Sequence, residues 1–322
     1  MNLRKVCCNL CNQEDTTILY TIGLYHIVKC NKCNLVYVEE RLGERDLEGL
    51  YSEDYFYYKD YFSNSYNLEC PPSKIRKEKL EREIRQMMEM PLFLNLDRHR
   101  FKNTLLEVGC AEGIFLEAAR RKSWKVAGVE ISQWASKFAR EKLNLQVFTG
   151  SLDQTHFSEN YFDVIYMNHV IEHLDNPVKV LCTSWRILRP GGVIVINTPN
   201  FNGFSRLILK EEWRAISPER HLYYFTPGTL SKILVKSGFK IDKIVTHGLE
   251  PYPIMERCLQ KIRFISKKKN LHAVREENRR FNECVRQSKF FPLLKPIINN
   301  VLKIIRMGDT IFAIAKKGDM EE

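Results

Sequence analysis

LLEVGCAEG, residues 105–113, is the stretch on which the reading of this chain turns. Leu105, Leu106 and Val108 have strand character, and they run into a glycine turn followed by IFLEAARR, where Ile114, Leu116 and Ala119 recur at helical spacing. The order is therefore strand, tight turn, helix. Gly109 and Gly113 suit a turn in which a ligand touches the main chain, because glycine adopts positive φ and offers no Cβ to obstruct the approach. A ligand held this way lies against backbone N–H groups at the start of the helix. The glycines are spaced G-x-x-x-G, with Glu107 two residues ahead of the first, which separates the stretch from a nicotinamide-type GxGxxG.

Outward from this point, KVAGVE (residues 125–130) reads as a second buried strand that ends in a carboxylate, Glu130, at the distance expected of an acid gripping a ribose diol. E-x-G-x-x-x-G followed by a strand ending in Glu resembles motifs I and II of the class I S-adenosylmethionine-dependent methyltransferases. In that family the pattern is usually ExGxGxG, and Ala111 stands here at the middle glycine. The resemblance implies an α/β fold: a seven-stranded Rossmann-like sheet, mostly parallel with its last strand antiparallel. It also implies S-adenosylmethionine as cofactor, bound by Glu107, Gly109, Cys110, Ala111, Gly113, Glu130, Ile131, Ser151, Leu152 and Asn168. Where the family shows G-D-A near the adenine, this chain has Gly150-Ser151-Leu152.

The strand and helix alternation continues as expected of a parallel sheet wrapped by helices. A helix is expected over 132–142, a short strand in LQVFTG, and a fourth strand over 162–167. That strand ends in NHVIEHLDNP, residues 168–177, which exposes Asn, His, Glu and His together where open α/β sheets bind ligands. HVIEHL resembles a subset of these methyltransferases; ubiquinone-type O-methyltransferases have E-x-x-E-H in its place. His169, His173 and His221 are the candidate catalytic residues. With Glu172 they also form a candidate site for a second divalent ion, the alternative being that Glu172 and His173 cap the following helix. A Pro-Gly-Gly turn and a fifth strand over 193–197 follow, then a helix opened by Thr226-Pro227 and closed by Gly238, and a sixth strand in FKIDKIVTHG. The seventh strand is DTIFAIAKK, residues 309–317.

Ahead of this domain, Cys8-x2-Cys11 and Cys30-x2-Cys33 present four thiolates to one tetrahedral Zn²⁺, and so short a segment has too little core to fold without it. Cys7 leaves the first knuckle open to an alternative closure with Cys11. The chain thus divides into a zinc ribbon (1–45), an aromatic linker and helix (46–100), a methyltransferase domain (101–249 plus 309–322) and a basic amphipathic helical insertion (250–308). In the linker, Ser73 caps a helix whose Leu80, Ile84, Met87 and Met88 share a face and which Pro91 ends; it is expected to cover the first strand. Tyr51 to Tyr66 is dense in aromatic rings, a packing surface or a lid over the acceptor.

The formal charge of +11 over 322 residues is concentrated: residues 250–307 hold 14 Lys and Arg against 5 Asp and Glu. Such an insertion is a solvated cap, a membrane-surface element or a polyanion contact. No apolar run reaches the ~18 residues of a membrane span, and the first residues show no apolar secretion core, so the expected location is the cytoplasm, with the inner face of the membrane as an extension. Amide or base-amine methylation is disfavoured, since N/D-P-P-Y/F is missing after strand four. A ribbon joined to this fold resembles either sugar and natural-product methyltransferases or ribosomal RNA guanine-N1 methyltransferases. The favoured expectation is methylation of a hydroxyl or carbon on a small or lipid-linked glycan or isoprenoid-type acceptor. RNA methylation is the alternative, and a non-catalytic zinc-ribbon scaffold the second.

Overall fold

The computed structural model describes residues 3–42, 74–249 and 299–318. Its centre is a seven-stranded sheet built from β6 (Thr104–Val108), β7 (Lys125–Glu130), β8 (Val147–Thr149), β9 (Phe162–Asn168), β10 (Leu188–Pro199), β12 (Phe239–His247) and β13 (Thr310–Lys317). The spatial order is β12-β13-β10-β9-β6-β7-β8. Strands β10, β9, β6, β7 and β8 run parallel, and β13 lies antiparallel between β10 and β12. This is the expected α/β, Rossmann-like methyltransferase sheet. Every residue of β6 and the first six of β9 are buried, as strands covered by helices on both faces require. The strand order reverses about β6, and the loops after β6 and β9 diverge at that point to open a crevice.

Two helices ahead of the sheet, α1 (Lys74–Met88) and α2 (Leu92–Asp97), belong to its core rather than to a separate linker. Ile84, Leu92, Phe93 and Leu96 are buried with Phe115 and Tyr166. Helix α1 packs on α3 (Ile114–Arg121), where Arg121 donates to both carboxylate oxygens of Glu81 at 2.6 and 3.0 Å. Helix α4 spans Gln133–Leu143, with the Ser132 side chain accepting the Ala135 N–H as its cap. The Pro-Gly-Gly turn does not separate helix from strand: α5 (Pro177–Ile187) runs directly into β10, and the turn residues form an irregularity within that strand. Ser73, the aromatic stretch 51–66 and most of the insertion (250–298) lie outside the described residues. Helical residues 299–304 lead back to β13. Among the described residues no helix is long and apolar enough to cross a membrane.

The amino-terminal unit is β1 (Leu3–Lys5), β2 (Thr16–Ile22), β3 (Tyr25–Cys30), β4 (Val36–Val38) and β5 (Glu40–Leu42). Its sheet has four strands in the order β11-β4-β3-β2, and the fourth is contributed by the larger unit: β11 (Tyr223–Tyr224) pairs antiparallel with β4. The two units therefore share a sheet as well as a hydrophobic core, in which Cys8, Val28, Leu35 and Tyr37 pack with Leu222, Phe225 and Leu230. Helix α6 (Pro227–Lys236) adds Lys236, which donates to the carbonyls of Asn9 and Leu10, and Lys232, which donates to that of Cys33.

Candidate active site

The loop after β6 is shaped by two residues of positive φ, Gly109 at +69° and Ala111 at +47°. A Cβ on Gly109 would meet Val170 Cγ2 at 2.5 Å, so the loop after β9 closes down on bare backbone. Alanine at 111 adopts the left-handed conformation that the family's usual glycine provides. Gly113 serves differently: it precedes α3 at φ +80° and lies against Leu145 and Ala139, away from the crevice, because helix and neighbouring strand approach too closely there for a side chain.

Glu130, at the end of β7, accepts the N–H of Ala111 on Oε2 and that of Ser132 on Oε1, each at 2.8 Å. Burial raises its pKa, and the N–H groups of Ser132, Ala111 and Ile131 restrain the rise. Glu107 is buried deeper, and among the described residues its Oε2 has no hydrogen-bond partner. Burial, and secondly the negative charge of Glu130, push its carboxyl well above the usual range. Two cavities meet above this pair and share Gly109, Ala111 and Asn168. One, about 170 Å³ and mainly apolar, is walled by Glu130, Ile131, Ser151, Leu152 and the loop after β9. The other, about 390 Å³, is floored by Glu107 and Cys110 and covered by Glu83 and Met87 of α1 and by Met90 just beyond it. Of the ten cofactor residues expected from sequence, nine line these cavities, and Gly113 is the exception. The α1 residues were legible only as a helix covering the first strand; their apolar spacing gave no sign that the helix also roofs a cavity.

Past β9 the chain places His169 at φ +53°, uncommon for a residue with a side chain. A 3-10 turn, Ile171–His173, follows. Glu172 is 1% exposed, with Oε1 3.2 Å from His169 Nδ1 and Oε2 accepting from Thr198 Oγ1 at 2.9 Å. Burial alone would raise its pKa, but the His169 hydrogen bond and the nearby imidazoles lower it to about 2. His173 Nδ1 lies 3.0 Å from the Arg220 carbonyl, and the rings of His173 and His221 meet edge to face at 4.6 Å. Burial, followed by the charge of His173, lowers His221 to about 4, and burial lowers His173 too. Glu172, His173 and His221 each bring one donor atom into a group whose members lie within 4.8 Å of one another. Neither Glu172 nor His173 caps the next helix, as the sequence allowed; Asn176 does, accepting the Lys179 N–H at 3.0 Å. His169 and His173 line the apolar cavity, while His221 stands behind them. Asn168, between the two cavities, accepts from Asn197 Nδ2 at 2.9 Å.

In the amino-terminal unit the sulfurs of Cys8, Cys11, Cys30 and Cys33 form one group within 4.8 Å, with Cys8 to Cys33 and Cys11 to Cys30 both at 3.4 Å. Four thiolates around a tetrahedral Zn²⁺ stand about 3.8 Å apart, so the set fits that ion. Cys7 is exposed and outside the group, which resolves the ambiguity of the first knuckle.

Fold and site together define a methyltransferase of the seven-stranded, S-adenosylmethionine-binding class. Residues 76–244, more than half of the chain, match the methyltransferase domain family, and the chain belongs to it. Over 169 residues it is 31% identical to the ubiquinone biosynthesis O-methyltransferase of Psychrobacter arcticus, covering 48% of this chain and 64% of that one. It is also 25% identical over 126 residues to the malonyl-[acyl-carrier protein] O-methyltransferase of Serratia marcescens, covering 39% and 49%. The match thus spans less than two thirds of either relative. A solved S-adenosylmethionine-dependent methyltransferase from Mesorhizobium loti superimposes with a TM-score of 0.46 at 15% identity, over 71% of this chain and 99% of that one.

Proposed function

We propose that the protein transfers a methyl group from S-adenosylmethionine to a hydroxyl of a small or lipid-linked glycan or isoprenoid-type acceptor. The observation that carries this reading is the pair of buried acids around one positive-φ loop: Glu107, with an oxygen left unpartnered at the floor of the larger cavity, and Glu130 at the edge of the apolar one. An orphaned buried carboxylate is costly unless a cation completes it, and the cofactor's α-ammonium is such a cation. Glu130 faces the ribose hydroxyls, while Ile131, Ser151 and Leu152 enclose the adenine. When bound, the cofactor supplies a methyl group already activated by the positive sulfonium.

The protein's share of the chemistry is then alignment and exclusion of water. Asn168, its amide oriented by Asn197, lies at the junction of the cavities, where the methyl group and the acceptor oxygen would meet. His169 stands beside it with Nδ1 held by Glu172, and its imidazole would take the proton of the acceptor hydroxyl. The hydroxyl reading draws support from the O-methyltransferases among the relatives. A second reading is favoured by the donor group of Glu172, His173 and His221: a divalent ion there orients the acceptor oxygen. The four cysteines hold a structural Zn²⁺, and the protein acts in the cytoplasm, with the basic insertion meeting the inner membrane face.

Calorimetry with S-adenosylhomocysteine tests the cofactor site, and no detectable binding ends the proposal. Incubation of the protein and labelled S-adenosylmethionine with fractionated cell extract tests the acceptor: label in lipid or nucleotide-sugar fractions supports it. Label in RNA replaces it with the RNA reading, in which ribbon and insertion bind the nucleic acid.

A further inference from the structure

Three polar residues of the amino-terminal unit, Arg4, Asn9 and Arg41, converge on one short segment, 172–178, which follows His169 and contains Glu172 and His173. Arg41, 2% exposed, donates from Nη1 to the Asp175 carbonyl at 2.6 Å and reaches Asp175 Oδ1 at 3.2 Å. Its guanidinium lies 4.6 Å from the centre of the Tyr223 ring, and the Tyr223 hydroxyl donates to the same Asp175 carbonyl at 3.1 Å. Arg4 donates to Asp175 Oδ1 at 2.6 Å. Asn9, between the two cysteines of the first knuckle, donates to Asn176 Oδ1 at 3.1 Å and accepts the Val178 N–H at 3.3 Å.

A second path reaches the same turn through the backbone. Val38 of β4 donates to the Leu222 carbonyl at 2.9 Å, and Leu222 in turn donates to the Glu172 carbonyl at 2.8 Å. Arg220, two residues earlier, offers the carbonyl that fixes the His173 ring. The segment leading into the strand that completes the ribbon's sheet thus also borders the histidine cluster.

We infer that the ribbon is an internal brace of the acceptor-side loop, and that Arg41, acting through Asp175, is a positioning residue for His169, Glu172 and His173. A buried guanidinium has few alternatives: among the described residues its Nε and Nη2 have no hydrogen-bond partner, so Asp175 and the Tyr223 ring are its main compensation. Holding Asp175 fixes the exit of a turn whose entrance is held by β9. The left-handed His169 between them is a conformation that persists only when its surroundings determine it. The cofactor acids Glu107 and Glu130 sit on β6 and β7, outside the reach of these contacts. The inference rests on the proposed assignment of this loop to the acceptor side.

The test uses the full zinc-loaded chain and its Arg41→Gln and Asn9→Ala variants, the second of which disturbs no buried charge. Hydrogen exchange followed by mass spectrometry compares peptides covering 168–178 with those covering 104–130, and ¹⁵N NMR reads the imidazoles of His169, His173 and His221. The expected result is exchange at least tenfold faster across 168–178, with unchanged exchange across 104–130 and shifted imidazole resonances. Wild-type exchange and imidazole signals in both variants would overturn the inference. Equal loss of protection in both peptide sets would also overturn it, since Arg41 and Asn9 would then stabilise the fold without positioning the loop. Should Arg41→Gln fail to fold, Asn9→Ala decides. Wild-type protein that binds no S-adenosylhomocysteine would remove the functional reading but leave the exchange result standing.

Discussion

The Glu130 carboxylate and the Ala111 amide nitrogen are 2.8 Å apart, so the acid ending the second parallel strand also fastens the loop that follows the first. Glu130 therefore shapes the loop in addition to its proposed contact with the ligand. Replacement by alanine is expected to weaken S-adenosylhomocysteine binding by about 100-fold, since a hydrogen bond to a charged group is worth about 1.5–3 kcal/mol. Glutamine, which retains one acceptor oxygen, should lose less. Isothermal calorimetry on both variants measures the difference.

Gly109 and Val170 make the crevice sensitive to a single methyl group. Gly109→Ala introduces a Cβ 2.5 Å from Val170 Cγ2 at a backbone angle of +69°, and is expected to cost about 1–3 kcal/mol of stability. Adding Val170→Ala relieves the clash but leaves the unfavourable φ, so the double variant should recover part of the loss. Denaturant melts of the two variants report it.

Ligand binding should release a proton. Burial, and secondly the charge of Glu130, push the Glu107 carboxyl well above the usual range, whereas a cationic ammonium beside it would favour the carboxylate, so affinity should rise with pH until the group ionises without ligand. The unliganded fold shows the opposite linkage. A raised folded pKa contributes stability that is fully present below the unfolded value, about 4.3, and is lost as pH climbs toward the folded one. Calorimetry in buffers of different ionisation heat should detect the proton, and Glu107→Gln should abolish its release while weakening binding.

Native mass spectrometry should find one zinc per chain, retained by Cys7→Ser and lost in Cys8→Ser. Buried Cys8 faces Cys33 at 3.4 Å, whereas Cys7 is exposed. Chelation should lower the melting temperature, because a segment of this size depends on its metal.

Much of this molecule could be read along the chain. Glu107, Gly109 and Glu130 mark strand ends, and the turn chemistry between them depends on neighbours in sequence, so their spacing, with its resemblance to the methyltransferase motifs, singled them out. The two cysteine knuckles follow the same logic. The helix at 74–88 was foreseen, but its part in the larger cavity was not, since which face of a helix roofs a cavity depends on elements far away in the chain. Glu172 and His173 were ambiguous for a related reason. A cap and a buried cluster share the same local sequence, and only Thr198, Arg220 and His221, brought in from strands and loops 26 to 49 residues on, distinguish them.

Through its resemblance to the methyltransferase motifs, the sequence by itself pointed to the sheet class and singled out Glu107, Glu130 and the four clustered cysteines, because each rests on a short-range pattern set by backbone geometry or ligand chemistry. Tertiary structure alone decided that the ribbon shares a sheet with Tyr223 and Tyr224, that Gly113 packs against Leu145 and Ala139, and that Arg41 reaches Asp175 across 134 residues. Such contacts depend on how separate elements pack, and no local spacing encodes which distant surface a buried side chain will meet.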